Sequence, residues 1–75
     1  MTVHDLEPIL KRHNVPKSHY SLTANDEPLA ESYLCIRTSP ANAIHIVERN
    51  QITMRRTFAT EDEACRAFLK ELRIV

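Results

Sequence analysis

The apolar positions near the start of the chain recur with helical spacing. Between Asp5 and His13, the apolar residues Leu6, Ile9 and Leu10 fall on one predicted face, together with His13. Asp5 is the predicted N-cap, which places Pro8 in the first turn, where a missing N–H costs little. Asn14 in a left-handed conformation, followed by Val15 and Pro16, predicts a Schellman ending at about His13. The irregular stretch from Lys17 to Glu31 is expected to be a loop, with Tyr20 and Leu22 on the core and a turn at residues 25–28.

Three later segments are typical of strands, and they run from Glu31 to Thr38, from Ala43 to Val47 and from Gln51 to Phe58. The turn between the first two is residues 39–42, with proline second. The second hairpin is predicted to have a three-residue loop, Glu48 to Asn50. That loop would pair Ile46 with Ile52 and Ile44 with Met54 on one face. The chain has no glycine, so Asn50 is the expected left-handed residue there.

The last element is predicted to be a helix from Glu61 to about Arg73, with Thr60 as N-cap and Glu63 completing a capping box. Its apolar stripe should cover the isoleucine face of the sheet. The sequence therefore predicts an α+β domain of order α-β-β-β-α: a three-stranded antiparallel meander with two helices packed on one face. The opposite face should be half polar, and it should see solvent or a partner: His45, Val47, Thr53, Arg55 and Thr57. The phase of the first strand stays open, because Leu34 and Ile36 alternate with Tyr33 and Cys35, which are also apolar.

Composition limits the function classes. The 75 residues make a single domain, 1–75, with ten basic and ten acidic side chains, so a large enclosed active site is not expected. No apolar run suggests a membrane span or signal peptide, so the expected location is the cytoplasm. Cys35 and Cys65 are expected to be buried free thiols, and a disulfide between the strand and the helix is the alternative. The four histidines show no metal-ligand spacing, so neither a metal nor another cofactor is predicted: His4, His13, His19 and His45.

Two kinds of activity can be weighed on the residues. Double-stranded RNA-binding domains share the predicted element order, but they place lysines at the start of the last helix. Here that position holds Glu61, Asp62 and Glu63, which argues against phosphate binding. Nucleic-acid binding is therefore kept only as the alternative function, and its support is Arg49, Arg55 and Arg56 near one hairpin. The sequence contains no phosphate-binding loop and no nucleophile motif, so an enzyme is not expected.

Acidic residues form the other candidate surface. They lie in the long loop and at the start of the last helix: Asp26, Glu27, Glu31, Glu61 and Asp62. They could be a solvated turn and compensation of the helix dipole, or a surface matched to a basic protein. His45 and Arg55 on the half-polar sheet face are the second candidate surface.

Several segments together resemble the small immunity proteins of bacterial polymorphic toxin systems, including contact-dependent growth inhibition. They are Asn14-Val15-Pro16, Tyr20-Ser21-Leu22, Glu31 to Ile36, and Thr57-Phe58 leading into residues 61–69. The chain departs from the family where glycines often follow the Tyr-Ser-Leu segment, since Thr23-Ala24-Asn25 stands here. Its second strand, with Ile44-His45-Ile46, also lacks the family's longer aromatic-rich pattern. The resemblance implies stoichiometric binding of a cognate toxin domain, such as a nuclease, in the producing cell, without catalysis.

Overall fold

The computed structural model describes residues 1–23 and 28–74 as an α+β domain. Helix α1 spans Val3–Arg12, and a short 3₁₀ turn covers Lys17–His19. Strand β1 spans Tyr20–Ser21, β2 spans Ser32–Arg37, β3 spans Asn42–Glu48 and β4 spans Gln51–Phe58. Helix α2 spans Glu61–Glu71. The predicted turn at residues 25–28 falls largely outside the described residues.

The sheet has four strands in the order β1-β2-β3-β4. The predicted antiparallel meander is present as β2-β3-β4, but the prediction of a three-stranded sheet is wrong, because β1 pairs in parallel with β2. Two residues are too few to show an alternating pattern, so β1 has no signature in the sequence. The Arg37 guanidinium stabilises β1 by donating to the Ser21 carbonyl at 3.2 Å and to its hydroxyl at 2.9 Å.

Helix α1 begins earlier than predicted. Thr2 is the N-cap, so the assignment of this role to Asp5 is wrong. Asp5 is the third helical residue, and its carboxylate accepts from the Thr2 N–H at 2.8 Å, as the acid of a capping box does. The other end is as predicted. Asn14 has φ of 56°, and the Val15 N–H donates to the Leu10 carbonyl at 3.0 Å, which completes the Schellman motif.

Helix α2 begins at Glu61 with Thr60 as its N-cap, as predicted, and the Glu63 N–H donates to Thr60 Oγ1 at 3.1 Å. It ends at Glu71, two residues before the predicted end, in a second Schellman motif. Arg73 holds the left-handed position with φ of 60°, and the Ile74 N–H donates to the Leu69 carbonyl at 3.0 Å. A helix can therefore end this way without glycine, at a cost in backbone strain.

One hydrophobic core lies between the sheet and the two helices. Its largest fully buried side chains include Phe68 of α2, Leu6 and Leu10 of α1, and Ile36 and Ile44 of the sheet. Leu34 and Ile36 belong to this cluster, which settles the phase of β2. Tyr20 is buried there and Leu22 packs against it, as expected. Both helices thus cover the same face of the sheet.

The hairpin between β3 and β4 differs from the prediction. Its loop has two residues, Arg49 and Asn50, with φ of 50° and 65°, which is the backbone of a type I′ turn. Glu48 then pairs with Gln51 and Val47 with Ile52, and after a bulge Ile46 pairs with Met54 and Ile44 with Arg56. The predicted pairings of Ile46 with Ile52 and of Ile44 with Met54 are therefore wrong. The prediction did not consider that one extra residue in β4 can correct the phase of a two-residue loop.

The bulge changes the environment of Ile52. Its side chain points to the face away from the helices, and the residue is 59% exposed. Met54 takes the half-buried position opposite Ile46 instead. An isoleucine that the alternation assigns to the core is thus a surface residue.

Both cysteines are free and buried, as predicted. Cys65 lies in the core, where burial raises the pKa of its thiol to about 11. Among the described residues, no helix is long and apolar enough to cross a membrane.

Candidate interaction surfaces

The acids at the start of α2 have partners within the chain. Glu61 Oε2 accepts from the Val3 N–H at 2.7 Å, one of the N–H groups that the first turn of α1 leaves unpaired. Asp62 accepts from the Met1 ammonium and from Arg66 Nε, both at 2.8 Å. Because Glu61 and Asp62 bind the start of α1, the carboxylates proposed to meet a partner also hold the two helices together.

These contacts perturb the pKa values of the groups involved. The hydrogen bond from the ammonium, followed by that from Arg66, lowers the pKa of Asp62. The same bond raises the pKa of the Met1 ammonium above its ordinary value of 8.0. The two shifts agree in direction, as expected for one ion pair.

Glu31, another acidic residue of the predicted surface, lies away from Glu61 and Asp62. Glu31 is exposed and precedes β2, and its carbonyl accepts from the Arg49 N–H at 2.7 Å beside the second hairpin. Glu61 lies toward the opposite end of the sheet, beyond Phe58, and β3 separates those ends by about 20 Å. Asp26 and Glu27 lie outside the described residues. The structure therefore does not bring Glu31 together with Glu61 and Asp62.

The second candidate surface is the sheet face away from the helices, called here the open sheet face. The strand pairing arranges it in three rows across β2, β3 and β4. The rows are Tyr33–Val47–Ile52, Cys35–His45–Arg55 and Arg37–Ala43–Thr57. The first row is apolar and lies next to the second hairpin, whereas the other two carry the cationic side chains.

The central row has a positive electrostatic environment. Partial burial lowers the pKa of His45, and the nearby charges of Arg37 and Arg55 lower it further. Arg37 is held by oxygens of uncharged groups, with the Ile36 carbonyl at 2.7 Å in addition to Ser21. Among the described residues of these three rows there is no carboxylate. Positive charge is thus concentrated on this face although the chain as a whole is neutral.

A concavity of about 280 Å³ lies on the open sheet face. Its lining includes the apolar row together with His45, Arg37 and Asn50. Sequence reasoning named His45 and Arg55 but not Arg37, Tyr33 or Ile52 as site residues. The phase of β2 was open in the sequence, and the position of Ile52 depends on a bulge, so no local pattern could place these three side chains.

The three arginines named for nucleic-acid binding do not share a surface. Arg55 is on the open sheet face, whereas Arg56 lies on the helix side. Arg56 is 3.8 Å from a Glu71 carboxylate oxygen and 5.4 Å from the centre of the Phe58 ring. Arg49 is in the hairpin turn. The start of α2, which double-stranded RNA-binding domains use for phosphate contacts, presents carboxylates here.

Comparisons with family models, curated protein sequences and solved structures found no match. Among the described residues, no group of histidine, cysteine and acidic side chains is arranged to hold a metal ion.

Proposed function

We propose that the protein is an immunity protein, which neutralises a cognate toxin domain by stoichiometric binding. The resemblance of residues 14–69 to such proteins supports this proposal, and so does a surface suited to a protein partner. The observation that carries it is the open sheet face, where an apolar row and cationic side chains lie side by side. Mixed surfaces of this kind are typical of protein interfaces, which combine an apolar centre with polar groups that set specificity.

The open sheet face is the better of the two candidate surfaces. Glu61 and Asp62 already accept hydrogen bonds from α1, so a partner would have to compete with them. Arg55 has no carboxylate partner among the described residues, and Ile52 is 59% exposed. The three strands of this face lie about 4.8 Å apart and are about 20 Å long. A face of this size suits the centre of a protein–protein interface, which usually buries about 800 Å² on each partner.

The acidic residues remain a second surface for a toxin with a basic groove. Glu31 is the first one to test, because its side chain is exposed and no hydrogen bond between the helices involves it. Asp26 and Glu27 lie outside the described residues and are the other acidic residues of this surface. Replacing Glu31 by lysine should slow association with a basic nuclease domain if this surface is used.

The test of the proposed function begins with the gene upstream of the one for this protein. If that gene encodes a large secreted protein with a variable C-terminal domain, this domain is the toxin domain to be used. Co-expression of the present protein should rescue cells from that domain, and the two should form a 1:1 complex in calorimetry and size-exclusion chromatography. The control is the same toxin domain with an unrelated protein of similar size. Growth inhibition without rescue, together with tight and salt-sensitive RNA binding by the present protein, would favour the RNA-binding alternative.

A further inference from the structure

We propose that the open sheet face binds an acidic segment of the partner, with a carboxylate against the Arg37–His45–Arg55 cluster and an apolar side chain on the Tyr33–Val47–Ile52 row. The proposal rests on the proposed function, since the partner is taken to be the toxin domain. It adds the surface and the chemistry that the surface recognises. It also reverses the expectation that the partner is basic at the point of contact.

The first argument is the position of Ile52. A bulge in β4 turns this side chain out of the core and leaves it beside Val47 and Tyr33. Bulges commonly re-aim a side chain near a functional site. An exposed isoleucine of this kind costs solubility and contributes little to the core, so a partner that covers it gives the bulge a function.

The second argument is charge. His45 lies in the row between Cys35 and Arg55, and Arg37 is close enough to lower its pKa. Three basic side chains from three neighbouring strands thus lie on one face, where Arg55 is exposed and Arg37 and His45 are half-buried. A carboxylate placed over them would gain hydrogen bonds from groups that are already oriented, because Arg37 is held by Ser21.

The spacing of the rows defines the segment. Neighbouring rows are two residues apart along β2 and β3, which is about 7 Å, whereas the bulge in β4 places Ile52 and Arg55 three positions apart. An extended segment presents residues i and i+2 to one side at the same spacing. The best fit is therefore an extended segment with an acidic residue two positions from an apolar one.

The main experiment measures the dissociation constant of the toxin domain with a matched pair of variants. Arg55→Gln removes a charge from the open sheet face, and Arg56→Gln removes one from the next residue, which points to the helix side. We expect Arg55→Gln to raise Kd about tenfold, mostly through faster dissociation, and Arg56→Gln to change it less than about twofold. Ile52→Thr should also raise Kd about tenfold, because it removes an apolar contact at the centre of the interface.

Two results distinguish the proposal from the proposed function. If the wild type binds and neutralises the toxin but Arg55→Gln and Ile52→Thr match Arg56→Gln, the protein is an immunity protein and the open sheet face is not its interface. If the wild type does not bind the toxin, the proposed function fails and the assignment of the partner fails with it.

A second measurement tests the chemistry without the toxin. An acetylated and amidated peptide of sequence Thr-Glu-Thr-Leu-Thr-Glu-Thr is titrated into labelled protein, with a peptide carrying Lys for Glu as control. The acidic peptide should shift the amide signals of Val47, Ile52 and Arg55, and it should raise the pKa of His45 by placing a carboxylate near the ring. Equal shifts with both peptides, or shifts only with a single-stranded RNA oligonucleotide, would overturn the preference for an acidic protein segment.

Discussion

Replacing Ile44 and Ile52 by threonine, one at a time, tests the register on which the open sheet face depends. Both residues lie in strands and both changes keep a β-branched side chain, so strand propensity is largely unaffected. Ile44 is 0% exposed and Ile52 is 59% exposed. The same chemical change is thus made in the core and on the surface.

The expected magnitudes follow from burial. Ile44→Thr removes apolar volume from the core and buries a hydroxyl, which together cost about 2–4 kcal/mol. Ile52→Thr should change the free energy of unfolding by less than about 0.6 kcal/mol, because most of that side chain is already in water. For a domain of this size, 1 kcal/mol shifts Tm by roughly 4–8 °C, so the two variants are easily separated.

Urea denaturation and calorimetry give both quantities. Ile44→Thr should lower the urea midpoint strongly, whereas Ile52→Thr should stay close to the wild type. Losses of equal size would mean that Ile52 packs under α2, as in the three-residue loop that the alternation predicts, and the open sheet face would then lack its apolar row.

Three further predictions concern stability. Arg73→Gly should stabilise the fold by about 0.5–1 kcal/mol in urea titrations, because residue 73 has φ of 60°. Lys70→Gly, inside α2, should instead destabilise the fold by about 1 kcal/mol. A loss of stability in Arg73→Gly would contradict the left-handed helix end. Phe68→Ala should cost about 3–5 kcal/mol and Thr60→Ala about 1 kcal/mol, so the reverse order of denaturant midpoints would mean that α2 is misplaced. The Met1–Asp62 pair should add stability that is lost as pH falls through the lowered pKa of Asp62 and as pH rises through the raised pKa of the Met1 ammonium. Asp62→Asn should therefore flatten both ends of the profile of Tm against pH. An unchanged profile would contradict the ion pair.

The elements with strong local signals could be predicted from the sequence. The cap at Thr60, the left-handed Asn14 and the bounds of β4 all follow from side chains within a few positions. Thr2 was not predicted as the N-cap of α1, because that role was assigned to Asp5, the acidic residue of the capping box. The sequence has acidic residues both at Asp5 and at the start of α2. Asp5 bonds to the cap of its own helix, whereas Glu61 and Asp62 bond to Val3 and Met1 at the start of the chain.

The rest of the fold depends on contacts between distant residues. Glu61 binds Val3, 58 positions away, and Arg37 binds Ser21, 16 positions away. Neither contact has a local pattern. Sequence reasoning therefore predicted neither the bonds of Glu61 and Asp62 to the start of the chain nor strand β1. The same holds for Ile52, whose exposure follows from one bulged residue. The candidate site was therefore predicted only through His45 and Arg55.

Methyl cross-saturation in the complex with the toxin domain would test the central claim most directly. With the toxin protonated and the present protein deuterated except at methyl groups, saturation of the toxin should reduce the signals of Val47 and Ile52. The methyl groups of Leu6 and Leu10, buried on the helix side, should keep their intensity. Loss of signal confined to methyl groups outside the open sheet face, with Val47 and Ile52 unchanged, would contradict the account.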